Sequence, residues 1–306
     1  MRKSALFFFT LVAVGLMAQE APAPAQQPTP QISRTNLVER AAGPSYSDVY
    51  CAGFITRPLI SHVNAVIGGL GTPHAIHFSE GEYVFLSSSG LQEGTRYAIV
   101  RELKDPNEYE MFHGQRAAIN AVGQPYAELG YVRVLQNRGN ISIARVEFSC
   151  QSITAGDLVV PFQEKAPLFF HDKHSLDQFP NDAPKVSGRI VLTKDFDSEA
   201  GTGDKIYVNV GAEQGVKPGD YLRVMRSYDP DKMDYVDALS YQNPAGEDTQ
   251  KNYPKINKAE LKLIPGRAIG EGIVLSVTPA GSTLMITFAR DAVQVGDVVE
   301  MESFAK

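Results

Sequence analysis

Past an apolar leader, hydrophobic positions come in runs of five or six residues rich in Val, Ile, Tyr and Phe, bounded by Gly and Asp. Gly81-Glu-Tyr-Val-Phe-Leu and Gly203-Asp-Lys-Ile-Tyr-Val are examples. Short β-branched and aromatic runs between turn residues predict strands. Gly-Asp precedes an apolar run at Gly156-Asp157, Gly203-Asp204, Gly219-Asp220 and Gly296-Asp297. Gly supplies an unusual φ and Asp bonds a nearby backbone N–H, so each pair predicts a turn feeding a strand rather than a ligand site. Several short strands at this spacing predict a closed or nearly closed barrel.

The pattern occurs twice. Residues 130–160 align without gaps on 270–300, with 8 of 31 positions identical, among them Gly130/Gly270, Ser142/Ser282, Phe148/Phe288, Gly156/Gly296 and Asp157/Asp297. Chance at ordinary composition gives roughly two. Upstream, Gly90-Leu-Gln-Glu-Gly94 parallels Gly215-Val-Lys-Pro-Gly219, and the strands that follow end in Arg101 and Arg226. The expected fold is mainly β: two tandem copies of a small barrel-like module, over 45–165 and 189–302, joined by a linker at 166–188. Val49 to Thr56 is expected to open the first module as a strand, and Arg189 to Thr193 the second. Each copy carries a long insertion at the same place, Glu102 to Gln124 and Ser227 to Ile264. A long loop at one fixed site is either a functional surface or a tolerated excursion. Tyr228, Asp231, Tyr235 and Tyr241 of the second insertion are the candidate binding residues.

Gly215-Val-Lys-Pro-Gly-Asp-Tyr-Leu-Arg-Val-Met-Arg226, a variable insert, Ile269-Gly-Glu-Gly-Ile-Val-Leu275 and Val295-Gly-Asp-Val-Val-Glu300 form one motif series. It resembles the small β-domain at the C-terminus of the flagellar assembly protein T family. It is also similar to bacterial secreted proteins that share this strand–insert–strand arrangement, some of which carry LysM repeats. The resemblance covers most of residues 81–160 and 203–300, without that family's N-terminal domains and without a LysM repeat. It implies an envelope-associated binding or structural module.

The ends and the composition place the chain. Arg2 and Lys3 precede an apolar run from Ala5 to Ala18. Fourteen helical residues rise about 21 Å, short of a hydrocarbon core of roughly 30 Å. This favours a signal peptide over residues 1–18, with an uncleaved anchor as the alternative. Residues 19–44 begin Gln-Glu-Ala-Pro-Ala-Pro-Ala and read as an Ala/Pro/Gln-rich tether. No later run is long enough to span a membrane. The net charge is −6 and no Lys/Arg-rich run occurs, which argues against nucleic acid as a partner. Cys51 and Cys150 are the only cysteines. In an oxidising compartment they are expected to pair, two buried free thiols being the alternative, and no C-x-x-C spacing suggests redox or metal chemistry.

Candidate chemistry is sparse. His74-Ala-Ile-His77 with Glu80 reads as strand-like, which sends the two imidazoles to opposite faces. His171 and His174 lie in the polar linker, and both groups read as solvated. Asp229, Asp231, Asp234 and Asp237 lack the Gly and Glu positions of a calcium loop. No nucleophile elbow, phosphate loop or dinucleotide fingerprint occurs. The expected protein is exported to the periplasm or cell surface, is not an enzyme and needs no metal or cofactor. Its expected partner is another envelope protein or a cell-wall component. An enzyme acting on envelope polysaccharide, or a subunit of a flagellar or secretion-type assembly, are the alternatives.

Overall fold

A computed structural model describes residues 43–70, 76–87, 90–168, 170, 176–180, 184–227, 257–261 and 263–301. Those residues fall in one compact unit, 40–306, and form two closed antiparallel barrels. In chain order, helix α1 (Tyr46–Tyr50) and strand β1 (Phe54–Thr56) precede the first barrel. That barrel comprises β2 (Ala65–Gly69), β3 (Tyr83–Ser87), β4 (Arg96–Glu102), β5 (Gln124–Arg138), β6 (Ile141–Ser149) and β7 (Leu158–Pro161), with helix α2 (Gln115–Val122) between β4 and β5. The second uses β8 (Ser187–Thr193), β10 (Lys205–Val208), β11 (Tyr221–Arg226), β12 (Arg267–Val277), β13 (Ser282–Ala289) and β15 (Val298–Met301). A small ribbon of β9 (Glu199–Ala200) and β14 (Val293–Gln294) lies outside its ring.

The rings run β5-β4-β7-β2-β3-β6 and β12-β11-β15-β8-β10-β13, each closing on its first strand. This is one strand order traced twice. Register agrees as well: Ile99 pairs Gly130 and Val159, as Val224 pairs Gly270 and Val299. Irregularities recur at matching steps, between Tyr131 and Val132 in one barrel and between Glu271 and Gly272 in the other. Inward side chains also correspond. Val84, Leu86, Ile99 and Val134 fill the first core where Ile206, Val208, Val224 and Val274 fill the second. Each such burial stabilises by about 1.5–3 kcal/mol.

Two aligned identities meet in space. A Cβ at Gly130 would lie 2.1 Å from the Phe148 carbonyl oxygen, and one at Gly270 would lie 2.8 Å from that of Phe288. A register shift lies beside each of these glycines, and only a residue without a side chain lets the two backbones approach.

The Gly-Asp pairs perform turn chemistry. Asp157 Oδ2 accepts from Thr154 N (2.6 Å), Asp220 Oδ2 from Lys217 N (2.7 Å) and Asp297 Oδ2 from Gln294 N (2.8 Å). Two of these carboxylates do more. Arg101 on β4 donates from Nε and Nη2 to both oxygens of Asp157, at 2.7 and 2.8 Å. Arg226 on β11 grips Asp297 in the same way, at 3.1 and 2.8 Å. Each bidentate pair clamps the turn before the last barrel strand to the third.

The opening strand of the first module is a correction. Residues 46–50 form α1, because Ser45 and Asp48 make a reciprocal capping box, Ser45 N donating to Asp48 Oδ2 at 2.9 Å. Gly53 (φ +70°) then turns the chain into β1, which pairs with β5 outside the ring. The first barrel opens with β2 instead. Among the described residues no helix is long and apolar enough to cross a membrane. Expectations for the leader and most of the tether concern residues outside those described.

Candidate functional site

The two barrels meet along a seam built from segments that precede or interrupt them. Residues 45–57 form a strap. Toward the first barrel, β1 pairs Phe54 with Tyr126, Gly53 N donates to Glu128 Oε2 (3.1 Å), and Cys51 is disulfide-bonded to Cys150. Their Cα atoms are 5.8 Å apart and 99 positions separate them in sequence. Cys51 caps α1 and Cys150 follows β6 directly, so the bridge fastens the strap rather than joining two strands.

Toward the second barrel the same strap offers its carbonyls. Thr283 Oγ1 donates to Gly53 O (2.9 Å), Thr278 Oγ1 to Ile55 O (2.7 Å) and Lys194 Nζ to Cys51 O (2.9 Å). Lys205 Nζ pairs with Asp48 Oδ1 at 2.8 Å. Burial opposes ionisation of Asp48, but hydrogen bonds from Lys205 and Ser45 outweigh it and hold the carboxyl below its ordinary value. Burial, reinforced by Lys205, pushes the Lys194 amine down. Ala52 is fully buried with Tyr221, Ile273, Leu275 and Met285 of the second barrel.

The first insertion completes the seam. Ala118, Ile119 and Val122 share one face of α2, which packs with Ile55 against Val191, Leu192 and Tyr207. Gln115 is buried; its Nε2 donates to Val191 O (3.0 Å) and its Oε1 accepts from Met111 N (2.7 Å). Phe112 is 1% exposed, with the Arg189 guanidinium 3.9 Å from its ring centre. This insertion is therefore an internal joint. Its sequence showed a long loop at a fixed site, but not that the loop docks on the other barrel.

A cleft of about 380 Å³ opens where strap, first barrel and second barrel adjoin. Tyr50 and Phe54 form the strap wall, and Ser276 to Thr278 at the end of β12 form the wall from the second barrel. The floor is the outer face of the first barrel. Val160, Ala98 and Tyr131 lie there on one rung across β7, β4 and β5. Phe162 packs beside Tyr131, ring centres 4.8 Å apart, and is stacked on Tyr50 at 5.9 Å. Arg96, held by Glu147, lies over Tyr131 at 5.4 Å. Tyr46 OH and Tyr131 OH are 3.0 Å apart, and burial together with that hydrogen bond raises the Tyr46 phenol.

One ion pair lines the cleft. Lys165 Nζ donates to Val49 O (2.9 Å) and to both Glu128 oxygens (2.7 Å each). None of these cleft residues stands out in the sequence. They come from the strap, four strands and the segment just after β7, with no spacing that groups them.

Other expected positions fall elsewhere. Tyr228, Asp231, Tyr235 and Tyr241 lie outside the described residues, as do His74, His171, His174 and the acidic run from Asp229 to Asp237. His77 and Glu80 are exposed. Gly156, Gly219 and Gly296 take positive φ in their turns, and with Asp157, Asp220 and Asp297 they serve the barrels rather than the cleft. No protein-family pattern matches the chain, and no curated protein matches its sequence.

Proposed function

We propose that the chain is an exported, non-enzymatic protein of the bacterial cell envelope, built on a duplicated β-module, that binds another envelope protein or a cell-wall component through its second insertion. The observation that carries this reading is how that insertion is rooted. It leaves β11 and returns in β12 at a single ladder rung, Arg226 opposite Arg267, with Arg226 clamped to Asp297. The barrel beneath is welded to its neighbour by the strap and α2. An insertion on a fixed root is the usual arrangement of a recognition surface on a scaffold. The Cys51–Cys150 bridge suits an oxidising compartment and so supports export. Deleting residues 228–263 should preserve the circular-dichroism spectrum and unfolding midpoint while abolishing capture of the envelope partner in pull-downs. Undiminished capture by the deleted protein refutes the assignment to this insertion.

A second reading, a subunit of a larger assembly, has its own support. Ile67, Tyr83 and Ile141 project from β2, β3 and β6, adjacent strands of the first barrel, and are 49%, 39% and 43% exposed. Exposed apolar side chains on one wall mark contact surfaces. Light scattering across a concentration series distinguishes a monomeric binder from a self-assembling subunit.

A further inference from the structure

The Val160–Ala98–Tyr131 rung has a counterpart in the second barrel, and the two differ in kind. By strand order and register the matching rung is Glu300–Arg223–Glu271 across β15, β11 and β12. There a long arginine pairs with Glu300 at 3.0 Å, and Arg223 and Glu271 are each only 6% exposed. In the first barrel the centre of the rung is a single methyl group, flanked by a valine and a tyrosine. The same scaffold position is charged and filled in one barrel, apolar and hollow in the other.

We propose that this hollow, the cleft at the barrel junction, is a binding site for a small, neutral, mainly apolar ligand that carries a ring or a branched aliphatic group. Its volume, about 380 Å³, falls within the range of small-molecule sites, which favour junctions between domains. The pairing of charges decides the ligand class. Lys165 and Glu128 are the charged residues of the lining, and they neutralise each other. The three ammonium donors of Lys165 are matched by Val49 O and the Glu128 carboxylate, which also takes the N–H of Gly53. An anionic ligand finds that cation already paired, and a cationic ligand finds the carboxylate already paired. Breaking either contact would strand a partly buried charge. The rest of the lining is uncharged: Gln163, Ser276 and Thr278 bring neutral polar groups, and the rings of Phe54, Tyr131 and Phe162 with the methyl groups of Ala98, Val100 and Val160 make much of the apolar wall. Aromatic rings and small aliphatic groups of this kind recognise rings and branched chains by shape and dispersion. The disulfide holds the strap wall, because Tyr50 directly precedes Cys51.

The test is titration of the full oxidised chain with N-phenyl-1-naphthylamine, a neutral ring-bearing fluorophore, followed by emission and calorimetry. One probe should bind per chain. Its sulfonated analogue, 1-anilinonaphthalene-8-sulfonate, should bind at least about tenfold more weakly. Ala98→Phe fills the hollow from an outward-facing strand position and should weaken the neutral probe roughly tenfold or more. Val160→Glu, which places an unpaired carboxylate on the same rung, should do the same and serves if Ala98→Phe does not fold. Tyr109→Ala, exposed and outside the cleft, should change nothing. No binding to the native chain, equal affinity for the sulfonate, or unchanged binding in a folded cleft variant overturns the proposal. The second-insertion deletion should retain probe binding, so this result and the pull-down fail independently.

Discussion

Phe112→Ala is the most direct test of the first insertion as a joint. The residue lies in a polar loop, where an ordinary surface substitution changes stability by no more than about 0.5 kcal/mol. Yet its ring is 1% exposed, packed over Gly296 of the second barrel and capped by Arg189. Removing a buried phenylalanine costs about 3–5 kcal/mol, the transfer energy plus the cavity left behind. Loss of the cation–π contact adds about 0.5–2 kcal/mol where the cation is partly desolvated. For a folded body of this size each kcal/mol lowers the thermal midpoint by about 2–4 °C, so a fall of order 10 °C is expected. Guanidinium unfolding followed by circular dichroism measures the difference, with Tyr109→Ala as the control. Tyr109 lies three residues earlier in the same insertion, is 82% exposed, and should stay within about 0.5 kcal/mol of the native protein. Equal behaviour of the two variants would refute the joint and restore the insertion as a free surface loop.

Three further outcomes follow from the geometry. Gly130→Ala should destabilise more than Gly270→Ala in the same unfolding assay, since the first adds a 2.1 Å clash with Phe148 O and a φ of +144° to the second's 2.8 Å contact. Changing both cysteines to serine should cost about 2–5 kcal/mol, which denaturant midpoints with and without reductant will show; a change below about 0.5 kcal/mol would mean that the strap stays seated without the bridge. Burial raises the Glu147 carboxyl, but hydrogen bonds from Arg133 and Arg96 outweigh it and leave the folded value below the ordinary 4.5. Its contribution is therefore complete above that pH and declines as pH falls through the folded value, so the advantage of the native protein over Glu147→Gln should shrink between pH 5 and the acid limit; an advantage that does not vary with pH would refute the pairing.

Local pattern determined much of the architecture. Short β-branched runs between Gly-Asp turns specified strands, because side-chain shape and turn geometry act over a few residues. Recurrence of Gly130 and Phe148 at Gly270 and Phe288 marked one close backbone approach made twice. The pairing of Cys51 with Cys150, expected for two cysteines in an oxidising compartment against the alternative of two free thiols, is present. Tertiary structure alone decided the rest. Of the strand expected over Val49–Thr56, Phe54–Thr56 is β1, but Val49 and Tyr50 end a helix, since a capping box at Ser45 and Asp48 satisfies the first-turn N–H groups and outweighs strand propensity. Phe112, Gln115 and Val122 became core through the second barrel's surface, which no nearby residue announces. The cleft likewise needs Ala98 and Tyr131 from separate strands and Phe162 and Lys165 from the segment after β7. Residues distant in sequence become neighbours only after both barrels close and the strap is fixed between them.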